Sequence, residues 1–254
     1  MKLACNYYAE TEALVREGKI DIDYFKFPGL AFQMDVLRGA DAFESFAARV
    51  TSLRPILLHG VYPDMDRLIA LSQTSGVSVH PYLGKKAPRR SKVIKDLIAL
   101  REQYAYMEFV SVENFPNLKY GDFIRPEVIT EIVHRSGCSF LLDISHAYCA
   151  ARDLGEDFRA YLSKLPLERV SEIHINGWVE KDGGIMCHTK INEQGYQVLK
   201  ELLPVCKPKI VSIEYGRPDD RLGCGCPVLR PGEMNERAME EIVERVARLR
   251  EIIA

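Results

Sequence analysis

The chain has 254 residues, 47% of them hydrophobic and 28% charged. That is enough apolar material for one large α/β domain or two small ones, and too much for a disordered chain. A formal net charge of -2 argues against a non-specific nucleic-acid coat, and no apolar run is long enough to span a membrane. Seven cysteines, odd in number and without framework spacing, fit reduced thiols in the cytoplasm better than a disulfide scaffold. The opening Met1-Lys2-Leu3-Ala4-Cys5 does not read as a signal peptide.

In chain order, Lys2 to Tyr8 reads as a strand and Glu10 to Glu17 as a helix closed by Gly18. Asp21 to Phe27 is a second strand, rich in β-formers and stopped by Pro28-Gly29. A helical pattern runs from Phe32 to Val50, and Pro55-Ile-Leu-Leu-His59-Gly60 is a third strand. Helix over Asp64 to Thr74 precedes a fourth strand, Val77 to His80. A basic loop and a helix to Tyr104 lead to the fifth, Glu108 to Asn114. Pro126 opens a helix that Gly137 ends. Ser139 to Asp143 is the sixth strand, with helix onward to Leu165; Val170 to His174 is the seventh, and a long loop follows it. Helix over Asn192 to Leu203, a strand over Lys209 to Glu214 and an amphipathic helix over Met234 to Ile253 complete the pattern. Eight strand-then-helix units without a linker-like shift predict a single α/β domain over residues 1–254, a parallel (β/α)8 barrel. A doubly wound open sheet is the alternative.

Six of those strands end alike. His59, His80, Glu113, Asp143, His174 and Glu214 each close one. In a barrel the carboxyl ends of all strands meet on one face, where active sites of this fold lie. Each position alone has a plain explanation: Asp143 can cap the next helix and Glu113 can pair with a base. Six strands ending the same way are better explained by a metal site. Imidazole with carboxylate suits zinc first, then manganese or iron, and disfavours an all-oxygen cage for calcium or magnesium. His146, one turn past Asp143, and His188, in the long loop, are positioned to join. His134 sits near a helix end, where imidazole complements the dipole, and is read as structural.

Val-Ser-Val-Glu113-Asn, Leu-Leu-Asp143-Ile-Ser-His146-Ala, Glu-Ile-His174-Ile and Ser-Ile-Glu214 resemble the xylose isomerase-like TIM-barrel superfamily. That group includes endonuclease IV, the tagatose-type ketose 3-epimerases and other sugar isomerase/epimerase relatives. The resemblance implies a metal held by Glu113, Asp143, His174 and Glu214. It implies a substrate contact for His146 in the epimerase branch and a further metal ligand there in the endonuclease IV branch. His59, His80 and Glu113 match a second metal of that latter branch, and His146 with His188 part of a third. Where the third has a loop acid, this chain has Met186, leaving Cys187 or substrate to complete it. The chain is also similar to the iron-dependent oxidases of methanobactin biosynthesis, from which Gly177-Trp178 departs at a Gly-His position.

Around this core, Arg217, Lys26, Asn6 and Trp178 are candidate substrate contacts, from their places at strand ends and in the following loops. Lys85, Lys86, Arg89, Arg90 and Lys92 read as a solvated loop or a phosphate-capturing one. Cys224-Gly-Cys226 lacks a matching pair and reads as structural. Two reactions follow. One is hydrolysis of a phosphoester in a small anionic substrate at two or three metal ions. The other is isomerisation or epimerisation of a sugar or sugar phosphate at one ion, with Glu113 and Glu214 as acid and base and His146 assisting. A non-catalytic binding protein is the weakest reading, and nucleic acid is disfavoured as substrate.

Overall fold

The computed structural model describes residues 1–27, 40–62, 64–82, 86–181, 184–214 and 236–254. Its strands are β1 (Lys2–Asn6), β2 (Tyr24–Lys26), β3 (Ile56–His59), β4 (Gly76–Val79), β5 (Phe109–Glu113), β6 (Ser139–Asp143), β7 (Val170–Ile175), β8 (Gly177–Lys181), β9 (Gly184–Thr189) and β10 (Ile210–Ile213). Eight of them close in the order β1-β10-β7-β6-β5-β4-β3-β2, every pair parallel. This is the expected barrel. The helices are α1 (Ala9–Arg16), α2 (Ala40–Thr51), α3 (Met65–Ser72), α4 (Arg90–Gln103), α5 (Pro126–Ser136), α6 (Ile144–Asp153), α7 (Phe158–Ser163), α8 (Glu193–Cys206) and α9 (Glu236–Ile253). Among the described residues no helix is long and apolar enough to cross a membrane.

Alternation along the strands separates two apolar layers. Leu3, Cys5, Phe25, Ile56, Leu58, Val110, Val112, Phe140, Leu142, Ile173, Val211 and Ile213 belong to the main core with helix residues such as Val128, Ile132, Leu199 and Leu249. Residues between them in sequence point into the barrel. Ala4, Leu57, Phe109 and Ile210, with Tyr24 against them, form a small separate apolar floor. Above that floor the lining turns polar, with Lys26, Ser78, Ser111, Glu172 and Ser212 all buried. A TIM-barrel interior is normally filled by branched apolar side chains, so a polar middle layer has to be accounted for.

Local signals explain most boundaries. Pro126 occupies the first turn of α5, and Gly137 ends it at φ 70°, the left-handed turn that glycine adopts without strain. Two readings need correction. The helix expected to run to Leu165 is two, α6 and α7, because the chain turns left-handed at Gly155, φ 68°. The long loop after the seventh strand contains an antiparallel hairpin, β8 with β9.

Candidate metal centre

The six strand-end residues and both loop histidines converge at the carboxyl mouth of the barrel. Their ligand atoms fall into three groups, each with all its atoms within 4.8 Å of one another: His59, His80 and Glu113; Glu113, Asp143, His174 and Glu214; and His146, Cys187 and His188. Glu113 belongs to two of them. Its Oε2 lies 3.2 Å from His59 Nε2 and 3.5 Å from His80 Nδ1, while Oε1 lies 3.5 Å from His174 Nδ1 and 3.3 Å from His146 Nδ1. Glu214 Oε2 sits 3.0 Å from His174 Nδ1 and 3.2 Å from His188 Nε2. Asp143 Oδ2 is 3.8 Å from both His174 Nδ1 and His188 Nε2.

Several of these side chains are aimed by a partner on their other side. Asp143 does two jobs: Oδ1 caps α6 by accepting from the His146 amide at 2.7 Å and from Ser145 Oγ at 3.0 Å, leaving Oδ2 to face the cleft. Asn176 Nδ2 donates to that Oδ2 at 2.8 Å. One carboxylate therefore caps the helix and still presents an oxygen to the cleft. Asn114 bonds the Asp143 backbone through both ends of its amide and offers its carbonyl to His146 Nδ1 at 2.8 Å. The His146 ring stands edge-on to that of His188, with centroids 4.8 Å apart.

The polar middle layer aims the rest. Glu172, two residues before His174 on the inward face of β7, lies 3.3 Å from His174 Nε2. Buried Lys26 donates to Glu172 and, at 3.1 Å, to Ser78 Oγ, which contacts His59 Nδ1 at 3.0 Å. One ammonium thus braces histidines of two ligand groups from below, as outer partners of metal ligands do.

Electrostatics follow from this crowding. Burial opposes the charge on Glu172, but Lys26 and His174 overcome it and carry the carboxyl down to about 2. Burial drives His80 down to about 4, while Glu113 pulls the other way. His146 is also opposed by burial, yet Asp143 and Cys187 raise it to about 9. The Cys187 thiol is held well below its usual range, first by a hydrogen bond from Cys149 and then, against burial, by His188 and His146. His80 Nδ1, Glu113 Oε2, His146 Nε2, His174 Nδ1, His188 Nδ1 and Glu214 Oε2 are all buried without a hydrogen bond of acceptable geometry among the described residues. An unsatisfied buried polar atom costs roughly 1–3 kcal/mol. So many in one cleft fit a shared cation, and the donor set fits zinc, iron or manganese.

Other candidates sit differently. Lys26 is committed to Glu172 beneath the cleft, and Asn6 is 2% exposed beside it in register, its Oδ1 unpartnered among the described residues. Trp178 is buried, stacked on Tyr148 with ring centroids 4.5 Å apart. Arg90 bonds Glu131 and Lys92 bonds Asp96, both at 2.6 Å, while Lys86 and Arg89 are exposed. His134 is solvent-facing and 3.2 Å from Glu168. Arg217, Lys85, Cys224 and Cys226 lie outside the described residues. Sequence reasoning passed over Glu172, Ser78, Asn114 and Asn176; the Glu172-Ile-His174 spacing, two residues apart on one strand face, was the available signal for the first.

Solved structures share this architecture. A xylose isomerase domain containing protein from Salmonella typhimurium LT2 superposes with TM-score 0.65 at 14% identity, covering 98% of this chain and 96% of that one. The D-psicose 3-epimerase of Clostridium cellulolyticum H10 gives 0.61 at 13%, covering 99% of both. The IOLI protein, whose structure holds a zinc atom, gives 0.60 at 14%, covering 97% and 96%. The fold is a xylose isomerase-like TIM barrel, and its mouth carries clustered candidate metal ligands. Within that class the model of the RiPP precursor modification enzymes MbnB/TglH/ChrH matches residues 90–220, and the chain belongs to this family. Curated relatives include a UPF0276 protein of Chromobacterium violaceum, 28% identical over 120 residues, 46% of this chain and 40% of that protein. Another, from Bordetella pertussis, is 47% identical over 51 residues, 20% of this chain and 18% of that protein. The chain thus spans less than half the length of these relatives.

Proposed function

We propose that this chain is a metal-dependent enzyme that modifies a ribosomally synthesised peptide, using at least two ions that share Glu113. The supporting observation is the division of that one carboxylate: Oε2 faces His59 and His80, and Oε1 faces His174. The family adds the substrate class, since its members are described as precursor-modifying enzymes. His59, His80 and Glu113 would hold one ion, and Glu113, Asp143, His174 and Glu214 the other. Ions there supply Lewis acidity and, if they are iron as the methanobactin resemblance implies, redox capacity.

The chain's own residues do the positioning. Glu172 and Ser78 stand behind His174 and His59, and Asn176 fixes Asp143. His80 and Glu214, with side chains 26% and 18% exposed, are the ligands that solvent reaches. Substrate therefore approaches along their side of the mouth, where Glu214 is placed to take up or return a proton.

Phosphoester hydrolysis in a small anionic substrate is the second reading, favoured by the same His59–His80–Glu113 group beside a carboxylate-rich position. Isomerisation of a sugar would need only the Glu113–Asp143–His174–Glu214 quartet. The deciding experiment combines elemental analysis with mass spectrometry of short peptides co-expressed with the enzyme. Two or more ions per chain and a metal-dependent mass change in a peptide are expected. Release of phosphate with peptides unchanged would move the assignment to hydrolysis. One ion per chain, with solvent deuterium entering a sugar, would move it to isomerisation.

A further inference from the structure

The turn from β3 into α3 is tightly wound. Gly60 lies at φ 118°, and a Cβ there would stand 2.8 Å from the Tyr62 hydroxyl, which donates to the His59 carbonyl. Asp64, at the start of α3, is left-handed at φ 56°, a conformation that strains any residue with a side chain. Between them Val61 stands in solvent, 46% exposed. Two cavities meet at this valine and at Leu100 of α4. The inner one, about 310 Å³, is also lined by Val79, Pro81, Tyr82 and Leu97, and it reaches His80. The outer one, about 650 Å³, passes Asp64, Asp66 and Tyr104.

We infer that these two cavities are a peptide subsite beside the metal centre: the inner one takes a leucine- or phenylalanine-sized side chain, and the outer one an adjacent lysine or arginine. The inner wall is preformed. Tyr82 meets Phe115 edge-on at 5.1 Å between centroids and Phe123 at 5.0 Å, while Phe115 stacks on Tyr120 at 3.9 Å and on His80 at 5.5 Å. An apolar cavity of about 150 Å³ already admits a benzene ring, so the inner one has room for one large apolar side chain. Its acid, Asp96, is tied to Lys92 at 2.6 Å. In the outer cavity Arg67 is held by Glu44 at 2.6 Å, which leaves Asp64 and Asp66 to set the sign of charge. A chain anchored here passes the ions on the His80 side, where solvent reaches the ligands. The occupant rests on the peptide-modifying reading proposed above, whereas the apolar and acidic character of the cavities stands on their lining.

The test is a titration of the full chain, with isotope-labelled valine and leucine methyl groups, by acetylated and amidated Leu-Lys, Leu-Glu and Ser-Lys dipeptides. Leu-Lys should shift the Val61 and Leu100 methyl signals to saturation. Ser-Lys, which loses the apolar group, should bind about 10-fold more weakly or worse. Leu-Glu should bind a few-fold more weakly, with the gap closing at high salt. Leu100→Trp fills the junction of the cavities and should weaken Leu-Lys about 10-fold or more, read at Val61. Val61→Ser, an exposed change that spares the fold, should weaken it too, read at Leu100. Equal shifts from all three dipeptides, no shift at either methyl, or unaltered Leu-Lys binding in both variants would overturn the subsite and leave peptide modification standing. Saturable, apolar-selective binding without any metal-dependent mass change in co-expressed peptides would keep the subsite and remove the peptide-modifying reading instead.

Discussion

Glu113 and Lys26 occupy opposite ends of one polar column through the barrel, and their substitutions should fail differently. Glu113→Gln keeps the shape but removes the charge that two ligand groups share, so elemental analysis should find both Glu113-centred ions lost and activity down by about 100-fold or more. Glu172→Gln removes the carboxylate beside His174 Nε2 and also takes away the buried charge that faces Lys26. A loss of roughly 10–100-fold in metal affinity is expected, read by competition with a chelator, together with a loss of stability from the unpaired Lys26 ammonium. Lys26→Met leaves Glu172 as a buried, unpaired carboxylate beneath the site. Breaking a buried pair from one side costs about 3–5 kcal/mol, and replacing both partners by apolar groups costs far less. Denaturant unfolding should therefore show Lys26→Met markedly destabilised and the double variant Lys26→Met/Glu172→Leu partly recovered.

At the scale of elements, the β8–β9 hairpin supplies the candidate ligands Cys187 and His188, while the ends of the barrel strands supply most of the others. Gly177→Ala drives a methyl into the Lys190 carbonyl, so the hairpin must shift. Thermal unfolding should show the variant less stable than the wild type, with the Glu113-centred ligand groups, which lie on other elements, keeping their metal by elemental analysis. The barrel strands were legible in sequence because buried parallel strands read as apolar runs, and each run here stops at a histidine or acid. The hairpin was passed over although Asp182-Gly183 between Gly177-Trp178-Val179 and Ile185-Met186-Cys187 is a strong turn dipeptide. Its strands lack clean two-residue alternation, because both faces are covered around Trp178 and Met186 and a bulge shifts the phase at His188. Glu172 was passed over for a different reason. A charged residue inside an apolar strand reads as a surface position until the register shows it facing Lys26 across the barrel.

For the whole molecule, closure joins the two ends of the chain. Lys2 to Cys5 of β1 pairs with Ile210 to Ile213 of β10, and Arg250 on the last helix reaches back to Asp23 at 2.9 Å. Asp23 also accepts from the Leu3 amide at 2.8 Å and from Lys2 at 3.2 Å. Burial opposes its charge, but these three donors outweigh burial and lower its pKa. A carboxyl depressed in the folded state adds stability that is complete above its unfolded pKa and disappears as pH falls through the folded value. Asp23 is partly solvated, so its share is modest, about 1 kcal/mol or less. Asp23→Asn should lower the melting temperature at neutral pH by a few degrees at most, with the difference from wild type shrinking below about pH 4.

The ligands proposed for the two Glu113-centred ions run from His59 to Glu214 and lie at or just past the ends of six different strands. No fragment of the chain gathers them, so loading must follow folding rather than guide it. An ion that binds only the finished barrel then acts as a clamp, worth about 4 kcal/mol at a free concentration a thousand times its dissociation constant. Stripped and loaded protein should melt at well-separated temperatures, and a cell short of the right metal would lose not only the activity but part of the enzyme itself to its proteases.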